Sequence, residues 1–155
     1  MTAWVLRATV LGALVVALRV LLGFGMVNWP TQGSWMRLLC LAVIIAVVVG
    51  WGFLDGRRDR AAHPDADGGA DLTIPWLKAA VAGGLGSGLV SWVLDLVPRF
   101  SLGDNGLLFE MTAGASFIVL LIFIPGLAGI AIGRRVGGKN GAATAGSHQP
   151  VAAAS

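Results

Sequence analysis

The residues of this chain that could do chemistry are charged groups inside or beside apolar stretches. Arg19 lies within a long apolar run, seven residues before Met26, which places it about 10 Å inside a helix end at about 1.5 Å per residue. An ionisable group in a membrane-spanning segment costs about 2.5–3.5 kcal/mol on insertion scales, so it needs a partner or a function. Asp95 and Glu110 are the carboxylates expected near Arg19, and Arg37 is expected close to the same level. The sequence therefore predicts a polar cluster of these four residues.

Three roles for Arg19 stay open at this point. Its guanidinium could extend to the membrane surface and only anchor the helices. It could instead bind an anionic or zwitterionic ligand, or contact a partner protein. In each case a salt bridge between Arg19 and Asp95 would offset part of the insertion cost and would join the two halves of the chain.

Other catalytic, cofactor-binding or metal-binding signals are not found in the sequence. The single cysteine, Cys40, lies in an apolar run, which excludes a disulfide framework and a cysteine metal cluster. His63 and the aspartates at 65, 67 and 71 lack the ordered ligand series and closing glutamate of a calcium loop. We find no phosphate-binding glycine loop and no nucleophile with a base, so the chain is not predicted to be an enzyme.

Composition identifies the environment of these groups as a lipid bilayer. Of 155 residues, 56% are hydrophobic and 12% are charged, compared with about 45–50% and about 25% in soluble domains. The mean hydropathy is +0.81. The net charge is only +3 and no basic stripe exists, so nucleic acid is not an expected partner.

Four segments are long enough to cross a bilayer, which takes about 20 mostly apolar residues. They lie at about residues 3–27, 35–54, 75–97 and 111–133. The predicted fold is an all-α membrane protein whose four transmembrane helices form two hairpins. We predict a transmembrane domain over residues 1–136. Residues 137–155 are small and polar, and we predict a disordered cytoplasmic tail there.

The distribution of basic residues predicts the orientation. With four spans, both termini and the middle loop share one side. That side carries eight basic residues: Arg7, Arg57, Arg58, Arg60, Lys78, Arg134, Arg135 and Lys139. The other side carries two, Arg37 and Arg99. Because basic loops stay inside, both termini are predicted to be cytoplasmic.

Two segments resemble each other and suggest an internal repeat. Residues 5–14 and 76–85 are identical at five of ten positions, with Arg7 aligned to Lys78. Either a parallel duplication or the restricted alphabet of membrane helices explains this similarity.

Small residues predict where the helices approach each other, since close backbone contact stabilises helix pairs in lipid. Gly84 and Gly88 lie one turn apart in the third segment, and Gly129 and Gly133 do so in the fourth. Pro125 removes one backbone donor and should kink its helix. These residues would serve packing within the bundle, a homodimer interface or a hinge.

One stretch also carries a family resemblance. Residues 51–59 read WGFLDGRRD, followed by PDAD at 64–67, DL at 71–72 and WL at 76–77. This pattern resembles a family of short actinobacterial membrane proteins identified as four-helix members of the drug/metabolite transporter group. The resemblance implies export or exchange of small molecules by a small bundle, as a monomer or dimer, in a bacterial plasma membrane.

The chain differs from the well-understood four-helix multidrug exporters in its first helix. Those proteins carry a membrane-embedded glutamate there, whereas this chain has Arg7 and Arg19 and no carboxylate. That difference argues against proton-coupled export of cations and favours an anionic or zwitterionic substrate. The leading hypothesis is thus a transporter-like protein. The alternative is a non-catalytic accessory subunit of a larger membrane complex.

Overall fold

Long helices form most of the described part of the chain. The computed structural model describes residues 3–63, 69–95, 108 and 110–146. The helices are α1 (Ala3–Asn28), α2 (Gly33–Ala62), α3 (Thr73–Asp95) and α4 (Ala115–Gly146). A short 3-10 turn, Pro30–Gln32, joins α1 to α2, and a π-helical turn, Glu110–Gly114, precedes α4.

All four helices are long and apolar enough to cross a membrane. The prediction of an all-α protein with four such helices is therefore confirmed. The physical reason is that a helix satisfies its backbone hydrogen bonds internally, which an apolar segment in lipid must do.

Two helices extend beyond the predicted spans. The second was predicted to end near residue 54, but α2 continues to Ala62. The fourth was predicted to end near residue 133, with a disordered tail from 137, but α4 continues to Gly146. The side chain of Arg60 in α2 lies against Gly137 and Gly138. This contact packs α2 against the extra turns of α4. Each residue added to α4 also gains a backbone hydrogen bond, which favours extension of a helix that has already formed. Residues 147–155 of the predicted tail lie outside the described residues.

Local hydrogen bonds fix the described helix ends. The Trp29 amide donates to the Gly25 carbonyl at 2.7 Å, which closes the last turn of α1 before the proline-led turn. At the start of α3 the Asp71 carboxylate accepts a hydrogen bond from the Thr73 amide at 3.0 Å. A carboxylate in this position satisfies a backbone donor that the first helical turn leaves free.

The largest helix–helix interface joins α2 to α4, and α1 packs mainly against α3. Glycines allow the α2–α4 approach: Gly52 lies on the backbone of Gly126, and Gly56 lies on that of Ile130. Conversely, Gly129 of α4 lies against the backbone of Val49 in α2, and Gly133 lies against that of Phe53. The paired positions increase together along both chains, so α2 and α4 run parallel. We call this set of contacts the glycine seam.

The α1–α3 contact also centres on glycine. A Cβ atom added at Gly12 would lie 3.3 Å from the Gly83 carbonyl oxygen, and one added at Gly83 would lie 3.3 Å from that of Ala8. Gly12 and Gly83 occupy aligned positions in the two similar segments, 5–14 and 76–85. The two similar segments therefore contact each other directly in the structure.

The core is a narrow column inside an apolar exterior. Its fully buried side chains include Leu11, Val15, Val48, Trp76 and Ile122. Large apolar side chains also cover the outside, where Leu21, Phe24, Phe117 and Ile124 are about 59–66% exposed. Soluble monomers rarely expose such continuous apolar surface. This exterior suggests a lipid bilayer environment.

Candidate functional site

An apolar groove between α1, α2 and α4 brings Arg19 and Arg37 together. Its volume is about 260 Å³, and we call it the arginine groove. α1 contributes Val15, Leu18, Arg19 and Leu22; α2 contributes Arg37, Cys40, Leu41 and Ile44; α4 contributes Gly114, Phe117, Ile118 and Leu121. Two members of the predicted polar cluster therefore share one concave surface.

The two arginines stand at different depths in the groove. Arg19 lies nine residues before the end of α1, and Arg37 lies four residues after the start of α2. Since one short turn joins these ends, a rise of about 1.5 Å per residue places Arg37 about 6 Å and Arg19 about 13 Å below the turn. Arg37 is exposed, whereas Arg19 is half-buried. The guanidinium of Arg37 donates to the Met26 sulfur at 3.9 Å.

Among the described residues that line the arginine groove, the charged side chains are Arg19 and Arg37. Apart from the two arginines, its lining consists of apolar side chains, one glycine and the Cys40 thiol, with no acidic residue among these described positions. Guanidinium groups bind carboxylates and phosphates through paired, charge-assisted hydrogen bonds. Apolar walls keep water away and strengthen such contacts. The groove is therefore suited to an anionic group attached to an apolar body.

The other two members of the predicted cluster are Asp95 and Glu110. Asp95 is the last described residue of α3, and Glu110 begins the π-helical turn before α4. Their side chains lie outside the described part of the structure. The salt bridge between Arg19 and Asp95 stays a prediction.

The predicted packing residues lie at two interfaces. A Cβ atom added at Gly84 would lie 3.0 Å from the Ala115 carbonyl oxygen of α4, and Gly88 is buried further along α3. Gly129 and Gly133 belong to the glycine seam with α2. α4 continues as a helix through Pro125. The α2 half of the seam, Gly52 and Gly56, was not predicted.

Sequence reasoning also missed a buried ionic cluster at the opposite end of the bundle from the α1–α2 turn. Arg7 of α1 donates to Asp55 Oδ2 of α2 at 2.6 Å, and Trp76 Nε1 of α3 donates to the same oxygen at 3.2 Å. The Arg7 guanidinium lies 5.6 Å from the centre of the Trp76 ring, a cation–π distance. The side chains of Arg7 and Asp55 are 10% and 8% exposed. This cluster joins three helices.

A second ion pair lies one turn further along α2. Arg134 of α4 donates to Asp59 Oδ2 at 2.7 Å and to the Ala70 carbonyl oxygen at 2.6 Å. The Ala70 amide donates to Asp59 Oδ1 at 2.9 Å. These bonds fix the segment before α3 to the ends of α2 and α4.

The residues of both ion pairs are visible in the sequence, but there the basic ones indicate only the orientation of the helices in the membrane. Arg7 and Arg134 were counted as basic residues flanking membrane spans. Asp55 and Asp59 belong to the stretch at 51–59 that carries the family resemblance. In the structure the same stretch supplies Gly52 and Gly56 to the glycine seam. Its residues are thus explained by packing and ion pairing within the fold.

No family model matches this sequence, and no curated protein matches it. Membership of the drug/metabolite transporter group therefore stays a prediction. Among the residues that the structure describes, no three His, Cys, Asp or Glu side chains lie close enough together to hold a metal ion.

Proposed function

We propose that this chain is a small multi-pass membrane transporter that binds an anionic or zwitterionic small molecule in the arginine groove. The observation that supports this proposal is the convergence of Arg19 and Arg37, from two helices, on one apolar cavity of about 260 Å³. Intramembrane ionisable residues that face a cavity commonly mark substrate pathways.

The sign of the charge determines the proposed substrate class. The guanidinium groups of Arg19 and Arg37 donate hydrogen bonds and cannot accept them, so they offer contacts to an anionic group that a cation could not use. An anionic group would be held by charge-assisted hydrogen bonds. The orientation that goes with this proposal has both termini in the cytoplasm of a bacterial plasma membrane, with the α1–α2 turn outside.

Permanently charged probes test the proposal, because they cannot cross lipid as neutral acids or bases. The protein is reconstituted in phosphatidylcholine liposomes, and currents are recorded on a solid-supported membrane after concentration jumps of methanesulfonate and octanesulfonate. Tetramethylammonium and octyltrimethylammonium are the matched cations. We expect a current with at least one sulfonate and none above empty liposomes with either cation.

Variants assign that current to the groove. Arg19→Gln and Arg37→Gln should each reduce the sulfonate current at least about tenfold, because a lost charged hydrogen bond is worth about 1.5–3 kcal/mol. Arg58→Gln is the matched control, since Arg58 is exposed on the same helix as Arg37 at its other end. Equal currents from all three variants, or larger currents with the ammonium ions, would refute the proposal.

A second candidate function is an accessory subunit of a larger membrane complex, and one observation favours it. An open apolar groove of about 640 Å³ runs between α1 and α3. Its walls include Ala13, Ala17, Ala82 and Gly86, and residues as small as these would admit a helix of another chain.

A further inference from the structure

The end of the bundle opposite the α1–α2 turn carries more basic than acidic side chains among the described residues. Two of its carboxylates are already held in ion pairs, Asp55 by Arg7 and Asp59 by Arg134. Asp71 accepts a hydrogen bond from a backbone amide. The described basic side chains there that make no salt bridge to another described residue are Arg57, Arg58, Arg60, Lys78 and Arg135.

We propose that two of these residues, Arg57 and Arg60, bind the phosphate of an anionic phospholipid at the edge where α2 meets the last turns of α4. We call this place the phosphate edge. It lies at the opposite end of the bundle from the arginine groove, so the proposal does not depend on the function proposed above.

The first support is the spacing of the two arginines. They lie three residues apart in α2, which makes them neighbours on one face of the helix. Both adjoin the same residue of α4: a Cβ atom added at Gly137 would lie 3.2 Å from the Arg60 Cβ atom and 3.7 Å from the Arg57 Cα atom. Two guanidinium groups placed in this way can donate to the oxygens of one phosphate.

The second support is the level of the phosphate edge along the bundle. The last large apolar side chain of α2 is Leu54, which is 49% exposed. Arg57 follows it at a rise of about 4.5 Å. The Arg57 guanidinium lies 5.7 Å from the centre of the Phe53 ring, so it turns back toward the apolar part of α2. In a bilayer the lipid head groups begin where the hydrocarbon ends, which is the level of this guanidinium.

The third support is the bare backbone on the α4 side of the phosphate edge. The Nε and Nη2 atoms of Arg60 lie 3.2 and 3.4 Å from where a Cβ atom of Gly138 would be. Because residues 137 and 138 are both glycine, neither places a side chain between Arg60 and an approaching head group. Arg57 is exposed and Arg60 is half-buried, so a phosphate can reach both from the lipid side.

The alternative to a site is a diffuse attraction between basic residues and an anionic membrane surface. Such attraction raises lipid affinity about fivefold for each arginine near the surface, wherever on the helix that arginine lies. Arg58 separates the two cases. It is exposed on the same turn of α2, but it follows Arg57 by one residue and therefore faces about 100° away from it.

Native mass spectrometry tests the proposal. The full chain is purified in a mild nonionic detergent, and equal amounts of phosphatidylglycerol and phosphatidylcholine with identical acyl chains are added. The ratio of the two bound lipids then reports selectivity for an anionic head group. We expect one retained phosphatidylglycerol per chain, preferred about 25-fold over phosphatidylcholine, or about fivefold for each arginine.

Variants assign this preference to the phosphate edge. Arg57→Gln and Arg60→Gln should each lower it about fivefold, whereas Arg58→Gln should leave it unchanged. Arg57→Lys, which keeps the charge but loses the paired donors, should give an intermediate preference. Thermal midpoints without added lipid report folding, and Arg57→Gln should keep the wild-type midpoint because its side chain is exposed.

Three results would overturn the proposal. An equal loss in the Arg57, Arg58 and Arg60 variants would mean diffuse attraction. Equal retention of the two lipids by the wild type would mean that no anionic head group is recognised. Displacement of phosphatidylglycerol by an excess of glycerol 3-phosphate would mean that the residues bind free phosphate and not a lipid.

Discussion

At the scale of single residues, Asp55 is the acceptor on which two other helices converge. One of its carboxylate oxygens binds both Arg7 and Trp76. A buried ion pair contributes little net stability compared with an apolar replacement, but removal of one partner leaves the other charge buried without compensation. The Nε atom of Arg7 is buried and makes no hydrogen bond among the described residues, so this guanidinium depends strongly on Asp55.

We predict that Asp55→Ala lowers the free energy of unfolding by about 3–5 kcal/mol. The double variant Arg7→Met/Asp55→Leu should recover most of this loss, because no buried charge remains. Denaturant unfolding in mixed micelles measures both. Asp71→Ala serves as the control: it removes only a hydrogen bond at the start of α3 and should cost about 1 kcal/mol. A double variant as unstable as Asp55→Ala would contradict this account.

At the scale of helices, the glycine seam decides which elements pair. A Cβ atom at Gly129 would overlap the Val49 carbonyl oxygen and lie 3.0 Å from the Phe53 amide nitrogen. Backbone atoms cannot move aside as a flexible side chain can, so α2 and α4 would have to separate. By contrast, a Cβ atom at Gly50 of α2 would meet nothing within 4 Å.

We predict opposite effects of alanine at these two glycines. Gly129→Ala should destabilise the protein by about 1–3 kcal/mol, the usual range for overpacking. Gly50→Ala should stabilise it by about 0.5–1 kcal/mol, because alanine loses less backbone entropy in a helix. The difference in thermal midpoint between the two variants measures the effect. Equal midpoints would mean that the seam does not hold α2 against α4.

The sequence allowed the α4 half of this seam to be predicted, but not its partner. Gly129 and Gly133 recur at the spacing of one helical turn, which indicates a close approach to some helix. Gly52 and Gly56 have the same spacing in α2, yet they lie at the end of the predicted span and beside basic residues. In the structure the largest interface joins α2 to α4, and not a pair that includes α3.

At the scale of the whole molecule, the two functional proposals make different demands on the α1–α3 groove. A transporter that works alone leaves this groove to lipid, whereas an accessory subunit fills it with a helix of its partner. Gly86 lies on the wall of the groove, and a Cβ atom there would meet nothing within 4 Å. A larger side chain at this position would therefore disturb a bound helix but not the fold.

We predict that the chain, purified from its native membrane in a mild detergent, has the mass of one copy or of a homodimer, without a stoichiometric second protein. Gly86→Leu should leave sulfonate currents and the thermal midpoint unchanged. Mass spectrometry of the purified sample and light scattering provide the measurements. Stoichiometric recovery of another membrane protein, lost in Gly86→Leu, would instead support the accessory function.

The sequence by itself determined that this chain forms four long apolar helices. An apolar run of sufficient length must satisfy its own backbone hydrogen bonds in lipid, and that requirement depends on no other part of the chain. The sequence also identified Arg19 and Arg37 as charged residues within or beside apolar segments. Which helices meet was decided only by the tertiary structure, because apolar residues surround each helix and mark no single face toward the core.

The buried ionic cluster shows the same limit at the level of side chains. Arg7, Asp55 and Trp76 are far apart in sequence, and each has an ordinary explanation as a residue near the end of a membrane span. Only the packing of α1, α2 and α3 brings their polar atoms within hydrogen-bonding distance. Local sequence specifies a helix through bonds between near neighbours, whereas a site between helices depends on contacts that no local pattern encodes.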